Sequence, residues 1–283
     1  MTARRPGRGV RVTAGEQVDR ARAQLFGEVA ELYDTARPGY SDALVTEVLA
    51  YAALGDRTAV EVGAGTGKAT VPFAEPGTPL VCIEPDPRMA EVLRRNTARF
   101  PAVRVRSGRF EDWQPGGRRF GLLLAASSWH WLDPQRRWDL AHGALAPGGA
   151  LALFWNPHRV RDARLQAALA EVDRRHGMAN TPHGEPASSF GEVPGGSLGP
   201  DGWPEAECRR DGRFTDLRAV RYRQDRSYDT DGYLGLLASL SAYRALPSGR
   251  REQVLAETAR VLDAHGGRID MDHLSDLFLA RAR

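Results

Sequence analysis

The chain has 283 residues, 42% hydrophobic and 27% charged, the balance of a globular protein large enough for one α/β domain with additions. Its 39 basic and 36 acidic side chains leave a net charge of +3; Lys68 is the only lysine, and the arginines are scattered rather than gathered into a nucleic-acid stripe. No apolar run reaches the roughly 20 residues of a membrane helix, and two cysteines, Cys82 and Cys208, are too few for a disulfide framework, so a reduced, cytoplasmic protein is expected.

Residues 1–15 are rich in Arg and Gly, lack the apolar stretch of a secretory signal, and read as a disordered tail. Val18, Ala21, Leu25, Val29 and Leu32 recur at helical spacing, which predicts a helix from Glu16 to about Tyr33. A Pro-Gly turn follows, Tyr33 to Tyr40, carrying two tyrosines and Arg37. Ser41 is placed to cap a helix over 42–53.

Val60 and Val62 alternate as in a strand buried on both faces. Gly63, Gly65 and Gly67 come next, then a helix-tolerant stretch from Lys68 to Ala74. Strand, glycine turn and helix form the first half of a nucleotide-binding βαβ unit, where missing Cβ atoms let a ligand lie against backbone. A phosphate-binding loop is excluded, because Val62 and Ala69 stand where it needs Gly and Ser/Thr. A dinucleotide fingerprint is disfavoured by Lys68 at its third glycine. The next strand, 79–84, ends on Glu84, 21 positions after Gly63. An acid at that tip either accepts hydrogen bonds from ribose hydroxyls or simply sits at a helix N-terminus.

Further strands are predicted at 103–107, 120–126 and 150–156, with a helix at 135–145 stopped by Pro147, Gly148 and Gly149. Ligands of open α/β sheets lie beyond the carboxyl ends of the strands, which directs attention to the loop from Ser127 to Pro134. Beyond 160 the reading is a helix at 165–176 and a Gly/Pro/Ser-rich loop or flap over 178–204. A strand at 219–228, helices through Tyr233–Leu240 and 251–265, and a last antiparallel strand at 277–280 complete it. No His/Cys/Asp/Glu cluster has metal-site spacing, so no metal is expected.

Glu61-x-Gly63-x-Gly65-x-Gly67 resembles motif I of class I S-adenosylmethionine (SAM) methyltransferases, and Glu84-Pro85-Asp86-Pro87-x-Met89 resembles the motif that follows it. Trp129-His130-Trp131 is similar to the His-Trp motif of bacterial small-molecule members, and Leu145-x-Pro147-Gly148-Gly149-x-Leu151 adds a further likeness. The resemblance implies a Rossmann-like α/β fold: a doubly wound, seven-stranded, mostly parallel sheet with the last strand antiparallel. To this it adds an N-terminal helical lid (16–55), a SAM-binding core (56–160), and an acceptor-cap insertion after strand five with completion of the sheet (161–283). It implies SAM as cofactor and S-adenosylhomocysteine as product. Implied cofactor residues are Tyr33 and Arg37 over the sulfonium and carboxylate, with Glu61, Gly63, Gly65 and Gly67 around the turn. Glu84 and Pro85 stand at the ribose and Ser127 at the strand tip. Phe110 packs on adenine, and Glu111 or Asp112 accepts its amine, although Arg109 stands where the family often has Asp.

For the acceptor, Trp129, His130, Trp131, Trp155, Asn156, Tyr228, Tyr233 and Tyr243 are candidates for an aromatic-walled pocket. Such a pocket suits a flat or apolar secondary metabolite methylated at oxygen, nitrogen or an electron-rich carbon; the same residues are equally at home in a core. His130 reads as a general base, an orienting group, or a packed histidine, with Tyr33 beside it as a second catalytic candidate. The expected partner is a small molecule, with neither nucleic acid nor membrane, for a monomer or homodimer. An NAD-linked oxidoreductase and a SAM-binding regulator without catalysis stay open.

Overall fold

Along Phe120–Ala126, Leu122 and Leu124 face one side of the chain while Leu123 and Ala125 face the other, and all four are fully buried. Period-two alternation with both faces apolar requires cover on both sides of the sheet. The computed structural model, which describes residues 27–179, 181–184 and 203–283, supplies it. The strands are β1 (Ala59–Val62), β2 (Leu80–Glu84), β3 (Val103–Ser107), β4 (Phe120–Ala126), β5 (Leu145–Trp155), β6 (His158–Val160), β7 (Phe214–Asp229) and β8 (Arg268–Ala282). Their order is β3-β2-β1-β4-β5-β8-β6, with β7 pairing β8. The first five run parallel, while β8 is antiparallel to β5, β6 and β7. The sheet is thus mostly parallel and Rossmann-like, and the short β6 is one strand more than expected.

One face packs under α2 (Asp42–Ala52) through Leu44, Val45 and Val48, and under Phe73 of α3 (Thr70–Ala74). The helix α4 (Pro87–Asn96) adds Leu93 to the same core. The other face packs on Trp138 and Ala141 of α5 (Arg137–Ala144). Each of these buried side chains stabilises by about 1.5–3 kcal/mol when its size is that of Val, Leu or Phe. Caps fix where the helices begin. Ser41 Oγ accepts from Leu44 N at 3.3 Å, and Asp86 accepts from Arg88 N at 2.8 Å with Pro87 at the first helical position.

A third core packs against the β6–β8 part of the sheet, through Val160, Ile269 and Met271. There α6 (Ala163–Arg175), α8 (Thr230–Ala238), α9 (Ser241–Arg244) and α10 (Ser248–Ala264) bury Leu169, Val172, Leu236, Val254 and Leu262 together. A short helix, α7 (Glu205–Asp211), went unseen in the sequence because Cys208 is its only buried residue and leaves no apolar stripe. The first described helix, α1 (Ala30–Ala36), runs past Tyr33 and stops at Arg37, whose extended backbone (φ −81°, ψ 133°) is what a following proline demands. The 1–15 tail and most of the 178–204 loop lie outside the described residues.

The largest correction is β8, which spans 15 residues where 277–280 was expected. It buries Asp272, His273 and Asp276, which hid the pattern. The carboxylate of Asp272 is completed by Arg159 at 2.7 Å, Arg161 at 2.6 Å and Arg223 at 2.9 Å, and that of Asp276 by Arg221.

Candidate functional site

Gly63 leaves β1 with φ +66°, a conformation that disfavours any side chain, and a Cβ there would come within 2.6 Å of Ser128 Cβ. Ser128 is fixed in turn, since its hydroxyl donates to the Val62 carbonyl. Gly65, at φ +58°, turns its amide onto Glu84 Oε2 at 2.7 Å, and the Asp86 amide donates to Oε1 at 2.9 Å. The tip of β2 is thereby tied to the glycine turn. Glu84 is 6% exposed; burial pushes its carboxyl up to about 7, against the pull of those two amides.

Turn and tip form the floor of a cavity of about 430 Å³, within the range of small-ligand sites. Its lining includes Ile83, Glu84, Pro85, Met89, Phe110 and Glu111. Glu111 is buried and accepts from the Asp133 amide at 3.2 Å, with Arg109 at 3.2 Å; Asp112 is exposed and lies off the cavity. The sequence left those two acids open, and the structure brings Glu111 to the site.

Tyr33, Arg37, Ser127, His130, Trp131, Leu240 and Ser241 line the cavity as well. Ser127 follows β4 with φ +53°, a conformation costing a non-glycine residue about 1–3 kcal/mol. Its amide donates to the Phe154 carbonyl at 2.8 Å, and its hydroxyl lies 3.3 Å from that of Tyr40. Arg37 donates to Ser239 Oγ at 2.9 Å and Ser239 O at 3.2 Å, and its guanidinium sits 5.1 Å from the Tyr33 ring centre.

His130 is exposed at the cavity wall, and the Trp155 indole donates to its Nδ1 at 3.3 Å. An indole N–H can only donate, so Nδ1 is the acceptor and the neutral ring carries its proton on Nε2. This arrangement runs against the general-base reading of His130.

Several candidates lie elsewhere. Glu61 is fully buried behind the turn and off the cavity, accepting from Thr70 Oγ1 at 2.6 Å; its Oε1 has no hydrogen-bond partner, and burial pushes its carboxyl up to about 8. Gly67 borders a second hollow of about 290 Å³ with Asp34, Lys68 and Asn96. There Asp34 lies 3.8 Å from Lys68 Nζ and accepts from Asn96 Nδ2 at 3.1 Å, which ties α1 to the glycine turn. Trp129 is wholly buried, 5.1 Å from Trp138, in the sheet core. Trp155 is off the cavity and acts through His130, and Asn156 accepts from Ser275 Oγ at 2.8 Å.

Tyr228, Tyr233 and Tyr243 belong to the third core, not to an acceptor wall. Tyr228 OH lies 3.0 Å from His273 Nε2, Tyr233 OH lies 2.7 Å from His183 Nε2, and Tyr243 donates to Asp173 Oδ1 at 3.1 Å. They are amphipathic residues whose hydroxyls found buried partners, which composition does not reveal. Conversely, Met89, Leu132, Leu240 and Ser241 line the cavity without having been singled out as site residues; only Met89 carried a signal, in the motif after β2.

The comparisons with known proteins agree with this layout. Residues 60–153 match the family model described as a methyltransferase domain. An uncharacterised methyltransferase of Mycobacterium tuberculosis is 36% identical over 154 residues, 54% of this chain and 60% of that relative, so the match spans about three fifths of the relative's length. One from Schizosaccharomyces pombe, also uncharacterised, is 24% identical over 81% of this chain and 84% of its own. The solved structure of a candidate type II methyltransferase from Anaeromyxobacter dehalogenans superposes with a TM-score of 0.59 at 23% identity, covering 87% of this chain and 97% of its own, and shares the fold. Over residues 60–153 the chain is therefore similar to a methyltransferase-domain family, and it shares its fold with a solved structure that bears that name.

Proposed function

We propose that the chain transfers the methyl group of SAM to a small-molecule acceptor by in-line displacement in the cavity that Ser127, His130 and Arg37 line. The observation that carries this reading is Glu84, a buried carboxylate held by the glycine turn at the cavity floor, where ribose hydroxyls would donate to it. The residues present fit a nucleoside with a charged tail. Phe110 and Met89 would flank the base, Glu111 would accept from its amine, and Arg37 would pair with the carboxylate of the tail while Tyr33 would cover the sulfonium; all five line the cavity. When bound, SAM supplies an electrophilic methyl carbon. The protein's share is alignment and exclusion of water, through a glycine cradle with no room for a Cβ at Gly63 and a Ser127 tip held in one conformation. Of the candidates for an acceptor wall, His130 and Trp131 line the cavity, so the case for a flat secondary-metabolite acceptor rests on those two rings. No described helix is long and apolar enough to cross a membrane.

Calorimetric titration with SAM and S-adenosylhomocysteine tests the proposal. Micromolar binding is expected, weakened by about 1–3 kcal/mol in Glu84→Ala as charge-assisted hydrogen bonds are lost. Binding of NAD with neither nucleoside bound would overturn it.

A further inference from the structure

We infer that Ser239, at the end of α8, is the positioning residue for Arg37 and through it sets recognition of the cofactor's amino-acid tail. The inference deepens the methyl-transfer reading above and rests on it.

Arg37 stands on the extended link between α1 and α2, at the end of a long, flexible side chain. A guanidinium on such a stem must be held if it is to meet a carboxylate at one fixed point. Ser239 holds it by two atoms. Arg37 Nε donates to Ser239 Oγ at 2.9 Å, and Nη2 donates to Ser239 O at 3.2 Å. Both bonds run along one edge of the planar fork. The edge from Nη2 to Nη1 makes no hydrogen bond among the described residues, and Arg37 lines the cavity. A carboxylate is gripped best by two parallel N–H groups, and that second edge supplies them.

Ser239 is itself fixed. It is fully buried, and its hydroxyl gives its proton to the Leu236 carbonyl at 2.6 Å. Only lone pairs are left to face Arg37, whose nitrogens can only donate, so the hydroxyl has a single orientation. The Ser239 amide closes the last turn of α8, donating to the Gly235 and Leu236 carbonyls at 3.2 and 3.1 Å. Its own carbonyl stands at the C-terminal end of that helix, where a cation is favoured.

The charge of the pair points the same way. Burial pulls the Arg37 guanidinium below its ordinary pKa, and no carboxylate among the described residues pairs with it. Ser239 is neutral, so it orients the cation without neutralising it and leaves the charge for the tail. A carboxylate in its place would compete with that tail. Leu240 and Ser241, the next two residues, line the cavity. Tail recognition is thus built from segments on both sides of the matched residues 60–153.

Calorimetry on the intact protein tests this with S-adenosylhomocysteine and with methylthioadenosine, which keeps the nucleoside and thioether but lacks the tail. The parent is expected to bind S-adenosylhomocysteine the more tightly. Ser239→Ala is expected to weaken S-adenosylhomocysteine about tenfold and methylthioadenosine by less than about twofold, as one hydrogen bond to a charged group is lost. Arg37→Met should show the same selective loss, and Ser239→Ala added to it should cost nothing further. Should Ser239→Ala fail to fold in urea titration, Ser239→Cys repeats the comparison with a weak acceptor of similar shape. Equal losses for both ligands, unchanged binding of S-adenosylhomocysteine, or a full second loss in the double variant would make Ser239 merely structural and overturn the inference. Equal parental affinities for the two ligands would overturn it too, with the cofactor reading intact. Binding of neither by the parent would remove that reading, and this inference with it.

Discussion

Under the proposed function Glu84 serves two groups at once, since the carboxylate that accepts from the Gly65 amide is also the one that would accept from a ribose. Burial has raised it to about 7, so near neutrality part of the population is protonated and has lost charged acceptance. Hydroxyl donors favour the ionised form, so nucleoside binding takes up no proton and displaces one. SAM affinity is therefore expected to be higher at pH 8 than at pH 6, and calorimetry in buffers of different ionisation enthalpy should register the released proton. Gly63 is constrained differently. Gly63→Ala combines φ +66° with a contact 2.6 Å from Ser128, and should destabilise the fold by about 1–3 kcal/mol in urea titration while also weakening cofactor binding. Both residues stood out in the sequence because turn geometry and strand-end acidity are local requirements. The tautomer of His130 did not, because Trp155, its partner, lies 25 positions away and nothing in a Trp-His-Trp run announces it.

Among the elements, the third core is held by a buried chain of polar groups. His183 bridges Asp173 of α6, at 2.8 Å, and Tyr233 of α8, while Tyr243 of α9 takes the second carboxylate oxygen. Asp173→Ala would strand an imidazole and a phenol in an apolar setting, and a loss of about 3–5 kcal/mol is expected. Hydrogen exchange should locate that loss in α8 and α10, with SAM affinity unchanged; weakened SAM binding would show that this core and the cavity are coupled. The network explains why Tyr233 and Tyr243, read as pocket residues, are not, and Tyr228 is held separately by His273. Aromatic side chains suit an acceptor wall and a core equally, and the partners that decide the matter lie 10, 50 and 70 positions apart. The same lesson holds for β8, where buried carboxylates completed by arginines from β6, β7 and the turn after β6 break the apolar alternation on which strand prediction depends.

Across the whole molecule, buried titratable groups pull stability in opposite directions with pH. Glu61 and Glu84 are raised to about 8 and 7 from 4.5, so their contribution is full below pH 4.5 and is lost as pH rises through those values. His273 is lowered by burial to about 4 from 6.5, so its contribution is full above pH 6.5 and is lost as pH falls toward 4. Between 4.5 and 6.5 the trends oppose; above 6.5 only the carboxylates act. The ligand-free protein should accordingly be less stable at pH 8 than at pH 6.5, by about 2–3 kcal/mol in urea titration. At this scale the mostly parallel sheet with an antiparallel last strand was legible, because repeated strand, turn and helix patterns constrain topology strongly. How the C-terminal half packs was not, because its cores form between segments distant in the chain.

Lys68, 27% exposed beside Asp34 and next to Gly67, is the chain's one lysine. Amine-directed reagents thus meet a single side-chain target, on the back of the turn whose front faces the nucleoside. A fluorophore coupled at that ε-amine would sit beside Gly67, at the ion pair that joins α1 to the glycine loop. Its emission would report cofactor arrival in real time, with no cysteine or lysine engineering at all.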